Sequence, residues 1–534
     1  MIQSLGSTPE SWDLCKPAVE AAGGMVMSQH VQASWVGARV LADGGSAVDA
    51  AIATAFAIGA VEPWMSGMGG CGYLVHYSAR DHQSYAAEFG VRSSEAVDPR
   101  DYPLVDGTGP DLFEWPSVIG DTNIRGPKSV AVPGMVAGLG AVLDAHGTRT
   151  LAELLAPAIR LAEAGMEVDW YGTLKISSEA RALAAHEHSR QVFLPGGFPP
   201  VGEWAGPLPS IRLGRLAHTL RRLADAGYRD FYEGELAADL VRDAEELGIP
   251  LTARDLAGYQ PHLTPVERGF YRGHEIDVVP GLTAGPTLEA ALQTLERNLP
   301  DPGSAPGVAA YQAYARTLFD AFDHRLAYVG DVPDTGPAAH TTHLAVSDRD
   351  GNLVALTMTL LSLFGSKVMM PRTGVLMNNG MMWFDPRPGR PNSIAPGKRP
   401  LSNMCPTILL REDGQRFALG ASGGRRIMPA VFQLISFLTD YGMNVGEAMH
   451  QPRLDISGTE VVTLDDRLPP AVIERLESLH QARVRPNGVY PNLFACPGVV
   501  GFDPASGHSS GAAFIASPRA AAVAEAQAAA GVDC

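Results

Sequence analysis

The sequence predicts an α+β protein in which sheets are layered together and helices lie outside them. Three observations carry this. Apolar residues recur at helical spacing between residues 129 and 260, strand-forming composition takes over after residue 340, and short strands both precede and follow the helical blocks.

Taken in order, GARVLADGGSAVDAAIATAFAIGA reads as two alanine-rich helices parted by Gly44 and Gly45. The second is apolar nearly all round, so it is expected to be buried. EPWMSGMGGCGYLVHYSA follows as a glycine-rich turn entering a strand through Tyr73, Val75 and Tyr77. AGLGAVLDAHG, LAELLAPAIRLAEAG, IRLGRLAHTLRRLADAG and ELAADLVRDAEELG are helices, each ending in glycine. GFYRGHEIDVVP is a strand pair, and helices resume from Thr287 to Ala327. A polar Pro/Gly-bearing linker, YVGDVPDTGPAAH (328–340), then leads into HLAVSD, NLVALTMTL, VLMNN, TILL and RFALGA as strands. The helix MPAVFQLISFLTDYG and alternating patches such as EVVTL complete the chain. A helix-rich first part thus meets a sheet-rich second part near residue 340.

With 534 residues, 46% of them hydrophobic, the chain can bury a sizeable core. Lys+Arg of 41 against Asp+Glu of 58 leaves a net charge of -17, which repels nucleic acid and anionic lipid surfaces. Cys15, Cys71, Cys405, Cys496 and Cys534 are odd in number and form no CxxC pair, so reduced thiols are expected rather than a disulfide framework or zinc site. The N-terminus lacks a secretory pattern, and no apolar run reaches membrane-spanning length. A cytoplasmic, soluble protein with no membrane partner is the expectation.

Several motifs compete for the chemistry. GMGGCG (67–72) has dinucleotide-loop spacing, but a helix precedes it and a strand follows, the reverse of what a pyrophosphate site needs. Close backbone packing is the better reading. GASGG (420–424) matches a serine nucleophile elbow, with Ser422 followed by Asp455, Asp465 or Asp466 and then His480 or His508 as partners. The same glycines could equally expose backbone N–H groups to an oxyanion. His340 and His343, three residues apart on a strand, point to opposite faces, which opposes joint metal ligation. In HTTHLAVSDRDGNLVALTMTL (340–360) an Asp-Gly turn pairs Thr342 with Thr359, or, shifted by one, leaves Thr359 beside Thr341. A threonine freed as an N-terminus can use its own amine as general base. An inert cross-strand threonine pair accounts for the same spacing.

Over almost its whole length the chain resembles the gamma-glutamyltranspeptidase family of N-terminal-nucleophile hydrolases. The segments that carry the resemblance include GGSAVDAAIATAFAIGAVEPWMSGMGG (44–70), SVAVPGMVAGL (129–139), LAELLAPAIRLAEAG (151–165), TTHLAVSDRDGNLVAL (341–356), GKRPLSNMCPTI (397–408) and GASGGRRI (420–427). The resemblance implies a four-layer αββα sandwich made as a precursor. Cleavage between His340 and Thr341 yields a large subunit (1–340) and a small one (341–534) that stay together, with further assembly left open. It further implies that Thr341 forms an acyl-enzyme, that Thr359 orients it and that Gly423 and Gly424 receive the oxyanion, so that Ser422 is not the nucleophile. The substrate is then a small-molecule amide or acyl compound, the acceptor is water or an amine, and no metal or organic cofactor is needed.

The substrate-holding positions depart from the family. Its asparagine after the second threonine is Leu361 here, and the positions that hold the glutamyl α-amino group are Gly380 and Trp383. The arginine for the α-carboxylate aligns with Gly90, leaving Arg92 as the candidate replacement. Of a serine pair, Ser402 remains and Asn403 replaces the other. A zwitterionic head needs an ion pair and directed hydrogen bonds, which Leu361, Met381, Met382 and Trp383 do not supply. An altered acyl specificity follows. Relatives that process cephalosporin side chains, oxamate or biosynthetic intermediates, the last sometimes at carbon–carbon bonds, are the alternatives. The segment 385–400 is shorter than in many relatives, which implies a more open entrance.

Overall fold

The computed structural model describes residues 14–108, 115–328, 340–458 and 460–531. The linker before Thr341 and Cys534 lie outside these residues. Two seven-stranded antiparallel sheets are stacked face to face. Numbered along the chain, their strands are β1 (Val19–Ala22), β2 (Met25–Ser28), β3 (Cys71–Ser78), β4 (Gln83–Phe89), β5 (His262–Pro265), β6 (Glu267–Tyr271), β7 (His274–Val278), β8 (His340–Ser347), β9 (Leu353–Leu361), β10 (Thr407–Leu410), β11 (Arg416–Ser422), β12 (Cys496–Asp503), β13 (His508–Ala513) and β14 (Ala521–Ala524). One sheet runs β14-β2-β8-β9-β3-β4-β5 and the other β1-β13-β12-β11-β10-β7-β6.

Helices cover both outer faces. Helices α1 (Val31–Ala42), α2 (Ala47–Val61), α3 (Met135–His146) and α4 (Leu151–Ala164) share a core with Val26, Leu74, Leu344, Val346, Val354, Leu356 and Met358 of the first sheet. On the far side α5 (Gly285–Asn298), α6 (Val308–Tyr328) and α7 (Ile427–Thr439) pack with the second sheet. This is the expected αββα sandwich. Helix α2 is buried along almost its entire length, as its all-round apolar character predicts. Its start is held by a reciprocal cap, in which the Ser46 hydroxyl accepts from Asp49 N and the Asp49 carboxylate from Ser46 N.

The division into a helical first part and a sheet-rich second part is corrected in one respect. Seven strands precede residue 340, and both sheets are completed by strands from each side of it. Burial on both faces removes the alternation that marks a strand: in MVMS (25–28) all four residues are buried. VLMNN joins neither sheet, because Met370 N and Met377 N donate to Val375 and Val368 carbonyls in a local loop while Asn378 N donates to Gly69 O.

Candidate active site

The site begins with a bulge. The Asp-Gly turn is longer than a two-residue hairpin: Ser347 pairs with Leu353, and Asp348 Oδ1 accepts from Asp350 N and Asn352 N within the turn. Thr342 therefore opposes Met358, while His340 opposes Leu361. Two residues of β9, Thr359 and Leu360, are left opposite the single residue Thr341, so Thr359 lies beside Thr341 as one of the two expected registers had it. Bulges of this kind re-aim a side chain and cluster near functional sites.

Alternation then decides the faces. Leu344 and Val346 join the helix-side core, so Thr342 faces the helices; Ala345 and His343 lie between the sheets, and so does Thr341. On β9, Ala355, Thr357 and Leu361 face inward, and Thr359 with them. Thr341 is 3% exposed and Thr359 fully buried. His343 donates to or accepts from Thr357 Oγ1 at 3.0 Å, and burial pushes its imidazole down to about 3. It is a neutral core side chain packed against Gly420 of the facing sheet, at the sheet interface rather than at a metal.

The glycine-rich turn serves close approach. A Cβ on Gly70 would lie 2.3 Å from Thr359 O, and one on Gly69 2.2 Å from Leu376 O. Leu360 N donates to Met65 O, and Leu361 N to Thr359 Oγ1 at 2.7 Å. That last bond comes with φ of +83° at Leu361, a conformation that L side chains rarely adopt.

Gly423 and Gly424 follow β11 with φ of 133° and 62° and lead into α7. Three contacts set the direction of β11 across the sandwich: Arg416 donates to Gly351 O in the turn, Gly420 abuts His343, and Ser422 Oγ accepts from Gln29 Nε2 at 2.7 Å. Gln29 extends β2 to the level of His343. The glycine pair thus sits at the Thr341 end of the sandwich. Ser422 is 1% exposed and held by Gln29. Its elbow partners lie elsewhere. His508 pairs with Asp503, seven residues along β12 from the Cys496 that opposes Ser422, about 23 Å away at ~3.3 Å per residue. His480 lies against Phe319, Asp455 binds Ser457, and Asp465 binds Arg467. Asp466 has its carboxyl raised, mainly by burial.

The substrate positions form an apolar wall beside the bulge. Leu361, Met381, Met382 and Trp383 are all buried in the core between the sheets, and Asn392 Nδ2 donates to Trp383 O. At Gly380 a Cβ would lie 2.6 Å from Ala131 Cβ and 2.9 Å from Val91 Cγ2, so the backbone fills the space of a side chain. Ser402 is buried beside the Tyr73 hydroxyl, and Asn403 is its buried neighbour. Arg92 turns its guanidinium to Asp255 O at 3.2 Å. At Gly90 the nearby cation is instead Arg399, whose Nη1 donates to Gly90 O at 3.2 Å; no spacing in the sequence pointed to it.

Sequence reasoning also missed Glu62. At the end of α2 it accepts from Thr342 Oγ1 at 3.0 Å, and desolvation by burial raises its carboxyl to about 8. The EP dipeptide before a glycine-rich turn was the available signal. Among the described residues no group of three or more His, Cys, Asp or Glu could hold a metal ion, and no helix is long and apolar enough to cross a membrane.

Comparison with known proteins bears on this arrangement. The family model described as Gamma-glutamyltranspeptidase matches residues 33–337 and 332–491. The chain is 30% identical over 528 residues to a glutathione hydrolase proenzyme of Bacillus subtilis (strain 168), covering 88% of this chain and 87% of that one. It is 34% identical over 500 residues to the acylase ACY 1 proenzyme of Pseudomonas sp. (strain SE83), covering 86% and 87%. The fold is that of a cephalosporin acylase from Bacillus halodurans, with a TM-score of 0.81 at 23% identity over 97% of this chain and 99% of that one. From the family model and these relatives together, the chain belongs to the gamma-glutamyltranspeptidase family and is an enzyme of its hydrolase/transferase kind.

Proposed function

We propose that this protein is a self-processing N-terminal threonine amidohydrolase or acyltransferase. The observation that carries the reading is the bulge that sets Thr341 beside Thr359 between the sheets, with Gly423 and Gly424 at the same end. Two relatives are named as proenzymes, which fits a chain that is cut. Thr341 Oγ attacks the His340 carbonyl carbon, the C–N bond breaks with a proton passing to the Thr341 nitrogen, and water hydrolyses the ester to leave a free α-amine. That amine then takes the Thr341 hydroxyl proton as the oxygen attacks an acyl substrate. The backbone N–H groups of Gly423 and Gly424 stabilise the oxyanion, the leaving amine departs with a proton, and water or an amine acceptor releases the acyl group. Thr359 keeps the nucleophile oriented.

The acyl group differs from gamma-glutamyl. Gly380 has no room for an acidic side chain, Leu361 and Trp383 offer no directed hydrogen bond from their side chains, and Arg92 is turned to Asp255 O. Burying an ammonium against that wall costs several kcal/mol without a partner. The likeness to an acylase supports this reading. N-terminal sequencing of the purified protein tests the first part: a small subunit beginning at Thr341 is expected, absent in Thr341→Ala, and an intact chain with full turnover sinks it. Assays of the processed protein on gamma-glutamyl and non-glutamyl amides test the second, and brisk gamma-glutamyl turnover refutes it.

A further inference from the structure

We infer that Glu62 is a positioning residue for self-cleavage, gripping Thr342 from behind the sheet and so fixing the bulged Thr341 whose hydroxyl must reach the His340 carbonyl. The inference rests on Thr341 being the nucleophile. Thr341 and Thr342 point to opposite faces of β8, so a tie on Thr342 leaves the inner face free for chemistry while immobilising the backbone between them. Both members are buried, Thr342 fully and Glu62 to 2% exposure, with Thr342 Oγ1 donating to Glu62 Oε2 at 3.0 Å.

Glu62 is itself rigidly set. Its N–H donates to Ile58 O at the end of α2, and its carbonyl accepts from Met65 N, in the turn whose Met65 carbonyl receives Leu360 N of the bulge. One short loop therefore holds both sides of the irregular pair, through a side chain on β8 and through the backbone on β9. The groups facing Glu62 are Lys175 and Arg519, the latter bound to Asp169 and His30. A carboxyl group at the end of an apolar helix costs stability by its burial, and holding Thr342 is what it does there. Once the chain is cut, Thr341 becomes a terminus, and termini fray unless tied down. The Thr342–Glu62 bond is one residue from that terminus, so the same tie serves the mature enzyme.

The test follows cleavage of the full-length chain in time by intact mass, with thermal unfolding as a fold control. Glu62→Met and Thr342→Val, which keep shape but remove acceptor or donor, are each expected to slow cleavage at least tenfold, and the double variant no further than either single one. Glu62→Gln and Thr342→Ser restore an acceptor or donor and are expected to stay within about threefold of wild type, a rescue that a mere packing role does not give. Wild-type speed in Thr342→Val overturns the inference, as does a double variant slowed by the product of the single effects. Should Glu62→Met not fold, Thr342→Val with its Thr342→Ser rescue decides. A wild-type chain never cut before Thr341 removes the underlying reading as well, whereas cutting that is equally fast in all variants removes only the role of Glu62.

Discussion

Adding one methyl group at Gly70 tests whether the Thr341–Thr359 geometry is what makes the site. A Cβ there falls 2.3 Å from Thr359 O and 3.1 Å from both Thr359 C and Gly67 O, against ordinary contact beginning at 3.4 Å. Something must open by about 1 Å. Gly70 cannot retreat easily, because its carbonyl accepts from both Gly134 N and Met135 N at 3.0 Å. The displacement therefore falls on β9 at Thr359. Overpacking of this size costs about 1–3 kcal/mol, which leaves the chain folded at 25 °C. A misplacement of about 1 Å next to a reacting group costs on the order of 100-fold in rate. Gly70→Ala is therefore expected to unfold at a temperature only a few degrees lower, yet to lose about two orders of magnitude in both self-cleavage and turnover. Gly67→Ala is the control, since a Cβ there meets nothing within 4 Å, and it should behave as wild type. Intact-mass time courses and steady-state assays read the outcome. If Gly70→Ala matures and turns over within threefold of wild type, the placement of Thr359 does not govern the chemistry and the reasoning fails.

Three further outcomes follow from the same geometry. Gly423→Ala puts an L side chain at φ of 133° with its Cβ 3.0 Å from Ala495 Cα; turnover should fall by about 10²–10³ if that backbone receives the oxyanion, measured on protein that is already cleaved. Gly380→Glu, a direct attempt to restore an amine-holding acid, should lower stability in a thermal melt by about 1–3 kcal/mol and bring no gamma-glutamyl turnover, because its Cβ meets Ala131 and Val91. The Glu62 carboxyl is raised from 4.5 to about 8, so the folded state holds a proton the unfolded state has released across that window. Its contribution to stability is complete below pH 4.5 and is lost as pH rises through 8, at no more than about 1.4 kcal/mol per pH unit. Denaturant titrations of wild type against Glu62→Gln between pH 5 and 8 should show that slope flatten in the variant.

Much of this was open to inspection in the sequence, and the misses have physical causes. Helices α2, α4 and α7 announce themselves because apolar spacing and end signals agree. Strands β1, β2 and β12 to β14 are short or buried on both faces, which erases alternation, and VLMNN has strand composition but spends its backbone bonds in a loop. The hairpin register depended on one turn residue, and one residue of slip exchanges faces. Ser422 is an instructive case. The pattern around it fits a nucleophile elbow, yet its hydroxyl is held by Gln29, almost four hundred residues earlier, and its would-be histidines lie at other places.

By itself the sequence determined the layers, the threonine pair on neighbouring strands, the glycines before α7 and the loss of polar groups at Leu361, Gly380 and Trp383, since these rest on local periodicity and on which side chain stands at a position. Only the tertiary structure decided that Thr341 sits in a bulge facing inward, that Gly423 and Gly424 lie at its end of the sandwich, and that Glu62 holds Thr342 from the helix layer. Those facts come from the stacking of two sheets and the long-range pairing of distant segments. No window of the chain contains both partners.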